Sequence, residues 1–283
     1  MPSKEQNRCT MKRPLVQLAS ALLCVAALLC PLAVAAMPDF TEVVVFGDSL
    51  SDTGNAGRFS NGPVWVEYIA KSLGRDLAPS SRGGRNYAIG GARTHGGPTS
   101  LRAQLDEFLG GLPQGKADPK ALYVVYGGGN DLLAADQLAN AVGLVNAAAA
   151  ALGDIVEQLC RAGAVHILVP NLPDLGRTPA VRVHGPGIAA TARRFSELFD
   201  TALEQRLSAL ESQYPVHLYR LDVFARLEQV LSNPAAAGFR NLTEPCAGAG
   251  CATALFWDHL HPTTIAHQRL AEAAMAAIEA QAR

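Results

Sequence analysis

A serine near one end of this 283-residue chain and an aspartate–histidine pair near the other stand in settings that suit acyl chemistry. Ser49 lies in Gly47-Asp48-Ser49-Leu50, directly after the β-branched run 42–46. A serine hydroxyl is a poor nucleophile until a neighbouring base takes its proton. Asp258-His259-Leu260-His261-Pro262 supplies a carboxylate three residues before a histidine. That separation lets Asp258 accept from Nδ1 of His261 and leaves Nε2 free for the Ser49 proton, the orienter–base–nucleophile logic of serine hydrolysis. The oxyanion formed by attack also needs donors. Gly91 offers a backbone N–H with no side chain in the way, and Asn130 offers a side-chain amide at a strand end. Each residue also has a plainer reading. Ser49 and Asp258 are equally placed to cap helices, with the histidines solvated. Gly90-Gly91 suits a tight turn, and Asn130 a turn or cap. His259 and His261 are metal-ligand types, but no carboxylate or cysteine cluster completes a site, so neither metal nor cofactor is expected.

The elements that must position these residues alternate. Short apolar strands are expected at 42–46, 86–89, 121–126, 165–169 and 216–221. Helical spacing covers 63–73, 101–109, 140–162, 188–210 and 262–280, and 233–256 reads as a long loop. A short helix is expected to follow Ser49, aiming its first N–H groups at the oxyanion. This order predicts a three-layer α/β/α domain with a five-stranded, mainly parallel sheet covered on both faces. In such sheets sites form beyond the carboxyl ends of strands, where Ser49, Gly91 and Asn130 fall.

The first 36 residues are expected to lie outside that domain, which then spans 37–283. Lys4, Arg8, Lys12 and Arg13 face only Glu5, the apolar run 21–30 stops at Pro31, and small residues follow to Ala36. This is the pattern of a signal peptide cleaved after Ala35 or Ala36. The run is shorter than the ~20 residues a membrane span needs, and no later stretch reads as apolar enough for one. An exported protein, periplasmic or secreted, is the expectation. At 17% charged and 49% hydrophobic residues the chain is not disordered. Its formal net charge of −1 argues against a nucleic-acid partner. Beyond the leader, Cys246 and Cys251 read as a loop disulfide, with a metal-binding pair as the alternative, and Cys160 as a buried thiol. Asp48 and Asp52 read as braces of the Ser49 turn, Asp131 as a brace of the Asn130 loop, and His95 as a candidate lining residue.

VVFGDSLSDTGN around Ser49, NYAIGGA at 86–92, GGGND at 127–131 and DHLHP at 258–262 together resemble the four ordered blocks of the GDSL esterases/lipases, of the SGNH hydrolase superfamily. Segments 58–74 and 169–180 further resemble secreted bacterial members, among them autotransported esterases and phospholipases. The chain has no room for an autotransporter barrel, so surface display is not expected. The resemblance implies a flavodoxin-like sheet, Ser49 as nucleophile, His261 as base and Asp258 as its partner. It implies the Ser49 N–H, Gly91 and Asn130 as oxyanion donors. The expected activity is an exported serine esterase or lipase acting through an acyl-enzyme. Its partners would be a small-molecule or lipid ester and, transiently, a lipid surface; no partner protein is implied. A lipid acyltransferase or phospholipase would use the same residues. A non-catalytic binding module on this fold would lack a nucleophile or base, and neither is missing. Substrate choice is expected to lie in loops 54–63, 176–187 and 233–256.

Overall fold

Uninterrupted apolar runs build the sheet. In the computed structural model, which describes residues 37–134 and 140–281, β1 (Val43–Gly47), β2 (Leu122–Tyr126), β3 (His166–Pro170) and β4 (His217–Leu221) pair in parallel in that order. The leader expected over residues 1–36 lies outside the described residues. Every residue of β1 and β2 is buried, so neither strand alternates apolar with polar. The helices are α1 (Trp65–Ser72), α2 (Leu101–Gly110), α3 (Gly129–Leu133), α4 (Ala141–Ala162), α5 (Pro179–Arg182), α6 (Pro186–Gln213), α7 (Val223–Ser232) and α8 (Thr264–Gln281). α1 packs on α8, while α4 packs on both α2 and α6, giving the two helical layers.

The sheet has four strands, where five were expected. Residues 85–89 do run beside β1. The Val45 N–H donates to the Arg85 carbonyl at 3.0 Å, Tyr87 to Val45 at 2.8 Å and Ile89 to Gly47 at 3.1 Å. Only one bridge forms, however, between Val45 and Asn86. Gln104 of α2 takes the next rung. Its Oε1 accepts the Gly47 N–H at 2.9 Å, and its Nε2 donates to the Gly47 carbonyl at 2.8 Å. A buried backbone N–H needs one good partner, and here a side-chain amide supplies it in place of a strand. With this segment outside β1, the order is flavodoxin-like, and the chain switches direction beside β1.

Other elements also depart from expectation. α7 falls where no helix was expected, although Asp222 caps it by accepting the Ala225 N–H at 2.9 Å. α8 starts later than expected, because Pro262 bridges to Phe256 instead of opening the helix. α4 is long and apolar enough to cross a bilayer, contrary to the sequence reading. It is nevertheless a core helix, with Val145, Leu152, Ile155, Val156 and Leu159 buried.

Asp200 of α6 accepts the Leu172 N–H at 2.8 Å. Burial, with Asp222 and Glu197 nearby, pushes its carboxyl up from the ordinary 3.8 to about 8. The folded protein therefore holds a proton there that the unfolded chain releases, and stability falls as pH rises from about 4 to about 8. Asp200→Asn should flatten that slope, so that its Tm relative to wild type is higher at pH 9 than at pH 5.

Candidate active site

The turn after β1 is held by its own carboxylates. Ser51 and Asp52 donate their N–H groups to the Asp48 carbonyl, both at 3.0 Å, and Leu50 donates to Asp48 Oδ1 at 3.0 Å. No helix follows Ser49. The Asp52 carboxylate instead captures the N–H groups of Gly54, Asn55 and Ala56, between 2.7 and 3.0 Å. It also accepts the Gly90 N–H at 2.9 Å, joining the first turn to the stretch that follows Asn86. Asn55 Nδ2 donates to the carbonyls of Asn86 and Ala88, and Asn86 Nδ2 returns to the Ser51 carbonyl at 2.7 Å. Trp65 is buried in the core, yet its Nε1 also donates to Ser51 Oγ.

Against this turn the chain brings residues from its far end. His261 Nε2 lies 2.9 Å from Ser49 Oγ, and His261 Nδ1 lies 2.7 Å from Asp258 Oδ2. An ionised carboxylate only accepts, so it fixes the proton on Nδ1 and leaves Nε2 as the acceptor. Burial opposes the Asp258 charge. Hydrogen bonds from the His261 backbone and ring and from the Leu260 N–H outweigh that cost and hold the carboxyl below its ordinary value. The segment is latched by residues 59–63. Ser60 Oγ donates to the Pro262 carbonyl, the Thr264 N–H donates to Asn61 Oδ1, and the Phe59 ring sits 5.2 Å from the His261 ring. The sequence reading missed Phe59. The available signal was Gly90, since a Cβ there would fall 2.3 Å from the Phe59 ring.

Gly91 adopts φ +77°, which favours glycine, and an added Cβ would meet open space there. Asn130 stands in the first turn of α3. Its Nδ2 donates to the Ala92 carbonyl at 2.9 Å and, over a longer 3.5 Å, to Asp48 Oδ2. Among the described residues the N–H groups of Ser49 and Gly91 have no acceptor. The structure thus brings together Ser49, Gly91, Asn130, Asp258 and His261. Asp131 bonds Thr94 through both its N–H and its hydroxyl, as a brace should. Burial pushes Asp48 up to about 7. His95 is exposed, bonds Thr94, and does not line the site. His259 is exposed as well.

A cavity of about 550 Å³ opens on Ser49, Asn130 and His261 and extends between α7 and α8. Of the three loops expected to choose the substrate, 233–256 lines it with Asn233, Ala236, Ala237, Phe239, Leu255 and Phe256, 176–187 with Thr178 alone, and 54–63 with none.

Residues 43–274 match the family profile described as GDSL-like Lipase/Acylhydrolase. The chain belongs to this family. It is 38% identical over 152 residues to Lipase 1 of Photorhabdus luminescens, covering 50% of this chain and 24% of that one. It is 30% identical to esterase EstA of Pseudomonas aeruginosa, covering 83% and 46%, and 26% identical to a phosphatidylcholine-sterol acyltransferase of Aeromonas hydrophila, covering 86% and 92%. The chain spans only 24% and 53% of the first two curated relatives. An acetyl-xylooligosaccharide esterase from Geobacillus shares the fold, with a TM-score of 0.54 and 18% identity over 86% of this chain and 96% of that one.

In this family member the segment that carries Asp258 and His261 is preceded by a covalent clamp. Cys246 and Cys251 form a disulfide with Cα atoms 4.9 Å apart. The Cys246 N–H donates to the Phe256 carbonyl at 3.0 Å, so the clamp holds the strand of chain entering the site. Cys160 stays free, half-buried, with burial pushing its thiol up to about 11. Closing so small a loop is worth about 2 kcal/mol, so the double variant Cys246→Ser, Cys251→Ser should melt about 4–8 °C lower. Wild type scanned in excess reductant should show the same drop.

Proposed function

We propose that the protein is an exported serine esterase or lipase that cleaves carboxylic esters through an acyl-enzyme on Ser49. The reading rests on one observation: the unbroken hydrogen-bonded series Ser49–His261–Asp258 beside two backbone N–H groups without acceptors. Ser49 Oγ attacks the ester carbonyl carbon while its proton passes to His261 Nε2. The carbonyl oxygen, now negative, accepts from the N–H groups of Ser49 and Gly91 and from Asn130 Nδ2. Asp258 holds the imidazolium that forms. The tetrahedral intermediate collapses, and the leaving alkoxide takes the proton from His261. Water then repeats the sequence on the acyl-enzyme and releases the acid.

A second reading is acyl transfer to an alcohol in place of water. It is favoured by the relative named as an acyltransferase, which this chain matches over 92% of that protein's length. Both readings require the same acyl-enzyme, and only the acceptor differs.

Ser49→Ala should lower kcat on p-nitrophenyl butyrate by at least about 10⁴-fold, and His261→Ala comparably, because residues acting as a unit fail together. Asn130→Ala should cost about 10²–10³-fold. A fluorophosphonate should label wild type stoichiometrically and leave Ser49→Ala unlabelled. Undiminished turnover in Ser49→Ala would overturn the assignment. For export, the basic start, apolar run and small residues before Met37 carry the proposal. Expressed with its leader in a Gram-negative host, the protein should appear outside the cytoplasm with an N-terminus at Ala36 or Met37.

A further inference from the structure

The cavity beside Ser49 is larger than an ester carbonyl requires, and its walls explain why it stays open. The buried residues form two separate apolar clusters. The main one spans the sheet and its helical layers. The smaller one, built on Phe239, Leu255 and Phe256, takes in Leu227 and Val230 of α7 and lies in the far part of the chain. The cavity has walls from both, with Leu133 and Leu270 on the side of the larger core. α7 is amphipathic, yet only Val223 of its ten residues is buried. Leu227 and Val230 are half-buried and line the cavity. On α8, one face carries His267, Ala271, Ala274 and Ile278 into the core. The neighbouring stripe of Ala266, Leu270 and Ala273 lines the cavity, and its two alanines leave the room there. Of the charged lining residues, Arg226, Arg269 and Glu272 are exposed and stand at the rim, while Asp48 beside Ser49 and Asp174, paired with Arg177 and Arg193, are buried.

We infer that this cavity is an acyl-chain subsite that makes the enzyme prefer esters of medium-chain fatty acids, of about eight to twelve carbons, over acetyl esters. The inference rests on the reading of Ser49 as the acylated residue. Three features fix the occupant's chemistry. The cavity is continuous with Ser49 and His261, so the occupant is joined to the reacting carbonyl. Its interior is aliphatic and aromatic, so the occupant is apolar. A water-sized group fills ~30 Å³, close to the volume of a methylene, so about 550 Å³ holds an ester group and a chain of that length with space to spare. Each methylene moved from water into such a wall strengthens binding by up to about fourfold. Ala273 and Leu227, on opposite walls and outside the hydrogen-bonded site, are the residues that set the usable length.

The test is a p-nitrophenyl ester series from acetate to palmitate on the mature protein, with kcat/KM as the readout. Wild type should rise at least tenfold from acetate to octanoate. Ala273→Phe should keep acetate turnover within about twofold and lose at least tenfold on decanoate. Leu227→Trp, on the sparsely buried α7, should do the same and guards against misfolding of the first variant. A wild-type profile that is flat or falls from acetate onward overturns the inference, as does an unchanged profile in both variants. A second measurement does not depend on the catalytic assignment. Millimolar decanoate should raise the Tm of wild type and of Ser49→Ala, and should not raise that of Ala273→Phe. If Ser49 is not the nucleophile, Ser49→Ala keeps its ester turnover while this thermal shift still reads the cavity. If decanoate shifts no Tm, the cavity is not an acyl site.

Discussion

A fully buried carboxylate organises the site. Asp52 accepts four backbone N–H groups, three from the turn that follows it and one from Gly90. A buried carboxylate is costly unless hydrogen bonds surround it, and these four donors meet that requirement. Satisfying Asp52 fixes two things together. It stops the chain after Ser49 from coiling into a helix, and it pins Gly90 so that the neighbouring Gly91 N–H stands free beside Ser49. Asn55 and Asn86 extend the same network by closing on backbone carbonyls. The Ser49 turn and the Gly90-Gly91 segment are thus a single hydrogen-bonded body.

The basic half of the site has a different support. His261 is 212 residues from Ser49 in sequence, and its placement needs long-range ties. Residues 59–63 supply them through Ser60, Asn61 and the Phe59 ring. The disulfide and the pairing of Phe256 with Pro262 shape the approach to Asp258. Within the segment, Asp258 divides its oxygens: one takes two backbone N–H groups, the other the imidazole. That division orients the ring and keeps the carboxyl charged.

The fold provides chemistry and the surroundings provide choice. An acetyl-xylooligosaccharide esterase shares the sheet and helical layers at 18% identity, and a fold by itself does not fix a substrate. Here α7 and the loop after it build a second small apolar cluster that does not close against the main core. Incomplete packing is unfavourable in a protein interior. The loosely packed region lies at Ser49 and His261.

The local pattern of residues is enough to expect parallel strands under two helical layers, the turn at Ser49 and the Cys246–Cys251 pair. These depend on apolar periodicity and on side chains a few residues apart, both readable along a line. For Ser49, Gly91, Asn130, Asp258 and His261 the pattern leaves turn and cap roles equally open, and the four ordered family blocks select them as site candidates. Other features escaped because they depend on contacts between distant segments. Gln104 takes a rung of the sheet that a fifth strand would have used, since its amide reaches Gly47 across 57 residues. Asp52 replaces a helix start with a captured loop. Phe59 meets His261, and α7 meets α8 across an unfilled space. Sequence determined which groups could react; only the tertiary structure decided what surrounds them, because packing and hydrogen-bond competition act between residues whose spacing along the chain carries no trace of their contact.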